Sequence, residues 1–261
     1  MRGQYGSYGY GYGSEGGTLY AAKEAYRTIR TNLMFSLAKS GCRTILFSSS
    51  IQGEGKTTSS ANVAFALAQS NKKVLLLDMD LRKPYLHRLV KKPCAPGMTN
   101  FLSGFNTLEE VLHQNLYPNL DVICAGTISP NPAEMIASEG VVKLLNEMKE
   151  RYDFIILDTP PITLVSDALT LMQYTDGIVL VSRPRYTNKN DLKKAISQVE
   201  FVGGKILGVI ANGVQEEKRG YGYKKYSSYS RSGDDDREEA PARPKRSAPR
   251  KEKESFEYED E

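Results

Sequence analysis

Ser48–Ser60, SSSIQGEGKTTSS, is the stretch whose reading decides the fold. It follows the apolar run Thr44-Ile45-Leu46-Phe47 and leads into a helix-like segment extending to about Gln69. Within it, Ser50–Thr57 carries a phosphate-loop pattern ending in Gly55-Lys56-Thr57, with serine in the first position where glycine is usual. Gly53 and Gly55 allow a tight turn that brings backbone N–H groups close to an anion. Lys56 has the reach for β- and γ-phosphates, and the Thr57 hydroxyl suits a magnesium ligand. Glu54 and Thr58 complete the set of loop residues expected around a nucleotide. Glycine-serine turns ahead of helices are common, but a strand, this loop and a helix in that order favour a nucleotide phosphate site.

Outward from the loop, short aliphatic runs alternate with helix-like segments. Val74–Leu77, Leu120–Cys124, Phe154–Leu157, Ile178–Val181 and Ile206–Ile210 read as strands, with helical patterns at Val141–Glu150 and Asp191–Phe201. Such alternation predicts a parallel sheet covered on both faces, with the ligand at the carboxyl ends of its strands. Asp78 ends one run in Leu77-Asp78-Met79-Asp80-Leu81-Arg82. Either acid is able to cap a following helix, but beside a phosphate loop both suit magnesium through water. Asp158 ends another run in Ile155-Ile156-Leu157-Asp158, the expected form of a second magnesium-holding acid. Asn212 follows the last run and has two open readings: a turn residue before Gly213, or a hydrogen-bond partner for adenine.

The chain has 261 residues, room for one domain with appendages. Its net charge of +4 gives no global field for nucleic acid. Cys42, Cys94 and Cys124 are far apart, which suits a reducing cytosol, and His87 and His113 are isolated, so zinc is not expected. No apolar run approaches the ~20 residues that span a bilayer, and the start lacks a signal peptide's apolar core, so no direct membrane insertion is expected.

Residues 1–18, mostly Gly, Tyr and Ser, and residues 216–261 read as disordered flanks of a domain at 19–215. The C-terminal flank begins with the cluster Tyr221, Tyr223, Tyr226 and Tyr229, and Ser230–Glu261 has no Leu, Ile, Val or Met but holds Tyr258 among acids. Near the other end, Tyr26, Ile29, Leu33 and Leu37 give one apolar helical face, while Glu24, Arg27 and Arg30 step by three along another. Spacing alone makes the charged stripe a solvated face.

Taken together, SIQGEGKT (Ser50–Thr57), DMDLR (Asp78–Arg82) with Lys83-Pro84, and FIILDTPP (Phe154–Pro161) resemble the cytoplasmic kinase domain of the bacterial tyrosine kinases that control capsule and exopolysaccharide synthesis. Glu24–Asn32 looks like that family's N-terminal ExxRxxRTN helix, and GTISPNPAE (Gly126–Glu134) and the C-terminal tyrosines also fit. The resemblance covers roughly Leu19 to Tyr229. It implies a three-layer α/β/α phosphate-loop fold of the ParA/MinD-like superfamily, and ATP- and Mg²⁺-dependent transfer onto Tyr221, Tyr223, Tyr226 and Tyr229 of a neighbour. In such proteins the subunits form a homo-oligomeric ring held by the Glu-Arg-Arg helix, which turns Glu24, Arg27 and Arg30 into expected interface residues.

The resemblance also implies a cytoplasmic protein recruited to the inner membrane face by the tail of a membrane activator, a polysaccharide chain-length determinant. For catalysis it points to Lys56, Asp78, Asp80 and Asp158. Thr57, Asp78 and Asp158 would surround the metal, and Arg82 and Asn212 would join the nucleotide contacts. Asp78 is the favoured proton acceptor, and Asp80 supports metal and geometry. The competing reading is a partitioning or division-site switch ATPase, which shares Lys56, Thr57, Asp78 and Asp158 but transfers no phosphate to protein. A non-catalytic, nucleotide-dependent scaffold is a third.

Overall fold

A computed structural model describes residues 16–38 and 40–214. The four clustered tyrosines, and the flanking disorder expected outside 16–214, lie beyond the described residues. The chain runs α1 (Gly16–Ser36), β1 (Arg43–Ser49), α2 (Lys56–Ala68), β2 (Val74–Asp78), α3 (Leu86–Leu89), α4 (Met98–Leu102) and α5 (Leu108–Val111). It continues through β3 (Leu112–Tyr117), β4 (Leu120–Ile123), α6 (Pro132–Ile136), α7 (Glu139–Lys149), β5 (Phe154–Asp158), α8 (Asp167–Met172), β6 (Gly177–Ser182), α9 (Lys189–Phe201) and β7 (Ile206–Ala211).

The strands form one sheet in the order β3-β4-β2-β5-β1-β6-β7, parallel except for β3, which runs antiparallel to β4 at the edge. Successive side chains of a strand face opposite sides, and both sides here are apolar. Val74, Leu76, Phe154 and Ile156 pack under α1 and α2 with Leu33, Val63 and Leu67. Leu75, Leu77, Ile155 and Leu157 pack on the other side with Val141, Leu144, Leu171 and Val199. This is the three-layer arrangement that the aliphatic runs predict.

Two boundaries differ from the sequence reading. Residues 16–18, expected to be disordered, open α1, because a helix already seeded by the apolar face downstream extends by a turn at small cost. β3 was not expected as a strand: LHQNLY has two buried residues only, and an edge strand needs little apolar surface. Among the described residues, no helix is long and apolar enough to cross a membrane.

Register is what matters for the site. Parallel pairing of β2 with β5 sets Asp78 opposite Asp158, and pairing of β5 with β1 sets Asp158 opposite Phe47, just before the loop. After β5 the chain is stitched to β1: Thr159 N–H and Oγ1 both donate to Phe47 O, Ser48 Oγ donates to Pro160 O (2.7 Å), and Ile162 N–H donates to Ser49 O (2.9 Å). The inner strands therefore deliver both acids and the loop to one level. Phe154 is fully buried at the start of β5 with the Arg43 guanidinium over its ring. Phe154→Ala is expected to cost about 3–5 kcal/mol of stability, read as a lowered urea midpoint.

Candidate active site

The loop between β1 and α2 is shaped by two left-handed glycines, Gly53 (φ 87°) and Gly55 (φ 89°). A Cβ on Gly55 would also lie 2.0 Å from Asn212 Nδ2, so space and dihedral both require glycine there. Glu54, expected among the loop residues around a nucleotide, lies between them. Its side chain is fully buried; Oε2 accepts from Ile51 N–H (2.7 Å), and Oε1 accepts from the Thr187 hydroxyl. The carboxylate braces the loop from behind rather than facing an anion it would repel. Asn212, left open between two readings, donates from Nδ2 to Glu54 O (3.0 Å), and Tyr186 donates from its hydroxyl to Gln52 O (3.0 Å). The β6–β7 flank thus holds the loop through three side chains.

On the β2–β5 flank lies the charge. Lys56 Nζ is 2.8 Å from Asp80 Oδ2, 3.9 Å from Asp158 Oδ1 and 3.4 Å from Thr57 Oγ1. Asp78 is fully buried; Oδ1 accepts from Asp80 N–H (3.2 Å), and Oδ2 accepts from Leu86 N–H at the start of α3 (3.2 Å). The helix-capping reading of this acid is therefore realised alongside its place in the cluster. Asp80 Oδ1 accepts from Lys83 N–H (3.0 Å). Asp158 is fully buried, and neither of its oxygens has a hydrogen-bond partner.

Three buried carboxylates thus face one ammonium. Burial raises the pKa of Asp78 well above the carboxylate range, and the charge of Asp158 adds to it. Burial raises that of Asp158 as well, with Lys56 and the nearby Thr57 and Ser60 hydroxyls tempering the effect. Burial works against the Lys56 ammonium, but Asp158 and then Asp80 outweigh it and its pKa lies above the usual lysine value.

Lys56, Thr57 and Asp80 line a cleft of about 650 Å³ that also takes in Arg82, Lys83, Tyr85, Arg88 and Leu164, with Asp78 and Asp158 buried beneath it. Arg82, expected at the nucleotide, is gripped bidentately by buried Asp167 (2.7 and 3.0 Å) at the cleft wall. Asp167, Tyr186 and Thr187 were invisible to the sequence reading: each meets its partner across 85 or more positions, and no spacing rule links them.

Oxygen donors, an orphaned buried carboxylate and the Thr57 hydroxyl fit a hard divalent cation. Among the described residues, no three His, Cys, Asp or Glu side chains hold a metal unaided. The Thr57 hydroxyl beside one or two of these carboxylates suits Mg²⁺, which is usually held by such groups together with phosphate oxygens and water. Glu54→Ala would leave the partly buried Ile51 N–H without its carboxylate partner and release the loop from Thr187. The expected outcome is a loss of about 1–3 kcal/mol of stability and at least tenfold weaker ATP binding by calorimetry, with Asp80→Asn retaining the loop conformation.

Residues 28–207 match the AAA domain family. Over 201 residues the chain is 40% identical to the tyrosine-protein kinase YwqD of Bacillus subtilis, covering 77% of this chain and 85% of that protein. It is 36% identical to the putative tyrosine-protein kinase CapB of Staphylococcus aureus, covering 78% and 89%. Among solved structures, the kinase domain of the Escherichia coli tyrosine kinase ETK superposes with a TM-score of 0.72 at 32% identity, covering 77% and 80%. With these likenesses spanning the loop, both strand-end acids and the cleft between them, the chain belongs to the bacterial tyrosine-protein kinase family.

Proposed function

We propose that this protein is an ATP-dependent tyrosine autokinase that phosphorylates the cluster Tyr221, Tyr223, Tyr226 and Tyr229 of a neighbouring subunit. The observation that carries it, beside family membership, is Lys56 lying among Asp80, Asp158 and Thr57 at the foot of a cleft open to a side chain. Loop N–H groups and Lys56 hold the phosphates, and Gly53, Gly55 and Thr58 leave the backbone room to approach them. Asn212, seated on the loop, lies on the flank where the base would rest. Thr57, Asp158 and Asp78 are the residues that would hold Mg²⁺, which when bound would neutralise charge growing on the β and γ oxygens.

The acceptor hydroxyl arrives protonated, since a tyrosine's unperturbed pKa is about 10. We assign its proton to Asp80 rather than to the initially favoured Asp78. Asp80 lines the cleft, whereas Asp78 is buried with both oxygens engaged by backbone N–H groups. When phosphate draws Lys56 away, Asp80 Oδ2 becomes the free acceptor.

Subunit contact through α1 is part of the proposal. Arg27 is paired with Glu24 within the helix, and both are exposed, so a neighbour exchanges this pair rather than creating one from solvated ions. Each phosphate added to the cluster contributes about −1.5 to −2 charge among Lys218, Arg219, Lys224 and Lys225, weakening any attraction of that segment to acidic surface. Recruitment to a membrane activator of the polysaccharide chain-length type, and a role in capsule or exopolysaccharide synthesis, complete the reading.

The test is peptide mass spectrometry after incubation with Mg-ATP, with and without a fused tail from a candidate activator. Phosphotyrosine is expected in Tyr221–Tyr229 of the wild type and absent from Lys56→Met, whose circular dichroism should be unchanged. ATP hydrolysis without phosphotyrosine, even with the activator tail, would instead favour the switch ATPase. Arg27→Glu places like charge beside Glu24 and is expected to shift the sizing-column profile toward monomer while leaving the far-UV spectrum intact.

A further inference from the structure

The turn that leaves β2 carries charge outward from the site. Its two acids fold it: Asp78 accepts from Asp80 N–H and Leu86 N–H (both 3.2 Å), and Asp80 accepts from Lys83 N–H (3.0 Å). Leu86 is fully buried and anchors the turn, whereas Lys83, Tyr85 and Arg88 are exposed along the cleft. The charged side chains lining that cleft are Lys56, Asp80, Arg82, Lys83 and Arg88. Lys56 is answered by Asp80, and Arg82 by Asp167. Lys83 Nζ reaches an amide oxygen, Gln52 Oε1 (3.4 Å), and Arg88 lies over the Tyr85 ring, so neither is paired with an acid among the described residues. The lip therefore keeps the positive charges of Lys83 and Arg88, set on a turn that the site's own acids hold in place.

A second loop supplies the apolar part of the same cleft. Pro160 and Pro161 lead into Leu164, whose N–H donates to Pro161 O (3.2 Å) and whose side chain is 61% exposed. Tyr85, 46% exposed, adds an aromatic ring. Large apolar side chains left in water at a cleft mouth mark a surface that gains from being covered. Asp80, the one acid lining the cleft, lies deeper against Lys56 and is the group assigned the acceptor's proton above. A tyrosine whose ring rests on Tyr85 and Leu164 has its hydroxyl directed toward that acid. An extended peptide advances about 3.3 Å per residue, so the residues within two or three places of such a tyrosine come over Lys83 and Arg88.

We propose that Lys83 and Arg88 determine acceptor specificity: they favour a tyrosine flanked by acidic residues on a separate protein, its ring held against Tyr85 and Leu164. The inference rests on the kinase reading above. In the step, the acceptor's phenolic oxygen bonds to the γ-phosphorus of ATP while the bond from that phosphorus to the β,γ-bridging oxygen breaks. ADP leaves with the bridging oxygen, and the phenolic proton passes to Asp80. Lys83 and Arg88 touch none of the reacting atoms; they are positioning residues that raise the occupancy of the acceptor, so their effect falls on KM rather than on kcat. A tyrosine between lysines meets like charge at the lip and is disfavoured, and salt narrows the difference. Acceptors delivered by assembly of subunits do not depend on this selection, which governs those arriving from solution.

The experiment gives the full chain, with an activator tail fused as above, Mg-ATP and either of two synthetic peptides. One carries a tyrosine between glutamates, the other the same tyrosine between lysines; peptide phosphorylation and self-phosphorylation are both read by mass spectrometry. At low salt, kcat/KM for the glutamate peptide is expected to exceed that for the lysine peptide about tenfold, through KM, and less at high salt. Arg88→Glu and Lys83→Glu should each cut that ratio about fivefold, raising KM for the glutamate peptide and lowering it for the lysine peptide, with KM for ATP unchanged. The gain for the lysine peptide is what mere damage to the turn does not produce. Leu164→Ala is expected to raise KM for both peptides alike. Self-phosphorylation with equal kcat/KM for the two peptides, or with a ratio that ignores both charge reversals, would overturn this inference alone. So would a raised KM for ATP with the peptide ratio unchanged, which would assign the two cations to the nucleotide. Absence of phosphotyrosine everywhere would remove the kinase reading and this inference with it.

Discussion

An imbalance of buried charge governs this molecule. Asp78, Asp80 and Asp158 converge at the carboxyl ends of β2 and β5, and a single lysine answers them. Isolated buried carboxylates are costly, so the resting site is held by Lys56 bridging toward two acids while Asp78 leans on backbone N–H groups. The excess negative charge remains at Asp158, whose oxygens have no hydrogen-bond partner. A divalent cation held there would relieve that excess, and a polyphosphate would draw the lysine out of it.

Holding such a cluster requires rigid surroundings, and the sheet provides them. β1, β2 and β5 are buried throughout or nearly so, and the residues after β5 are tied to β1 by main-chain and hydroxyl hydrogen bonds. Packing at close-packed density makes small displacements costly. The loop itself is held from its other flank by Thr187, Tyr186 and Asn212. Lys56 therefore stands between a fixed acidic wall and a fixed loop.

Much of this was legible in the sequence because it obeys local rules. Aliphatic runs of four or five residues ending in Asp78 and Asp158 mark buried parallel strands, and Gly55-Lys56-Thr57 marks the turn into α2. The helices that proved short, such as α3 and α4, left no periodic signature, since four or five residues complete barely one turn. The bracing role of the Glu54 side chain was not legible for a related reason: in a glycine-rich loop nothing local fixes which way a side chain turns, and Thr187, 133 positions away, decides it. Asp167 was missed because its meaning depends on Arg82, which the fold brings to it from another strand end.

The helix that carries Glu24, Arg27 and Arg30 is tied to the phosphate-loop helix. Arg30 is half-buried and donates from its guanidinium to Ala66 O (3.1 Å), and α1 packs along α2 through Leu33. α2 begins at Lys56, so the charged stripe of α1 and the loop lysine are mounted on one packed pair of helices. In the proposed assembly, a shift of α1 would be passed to α2 and so to Lys56 at the foot of the cleft. By thermodynamic reciprocity, whatever factor assembly adds to nucleotide affinity, nucleotide returns to assembly.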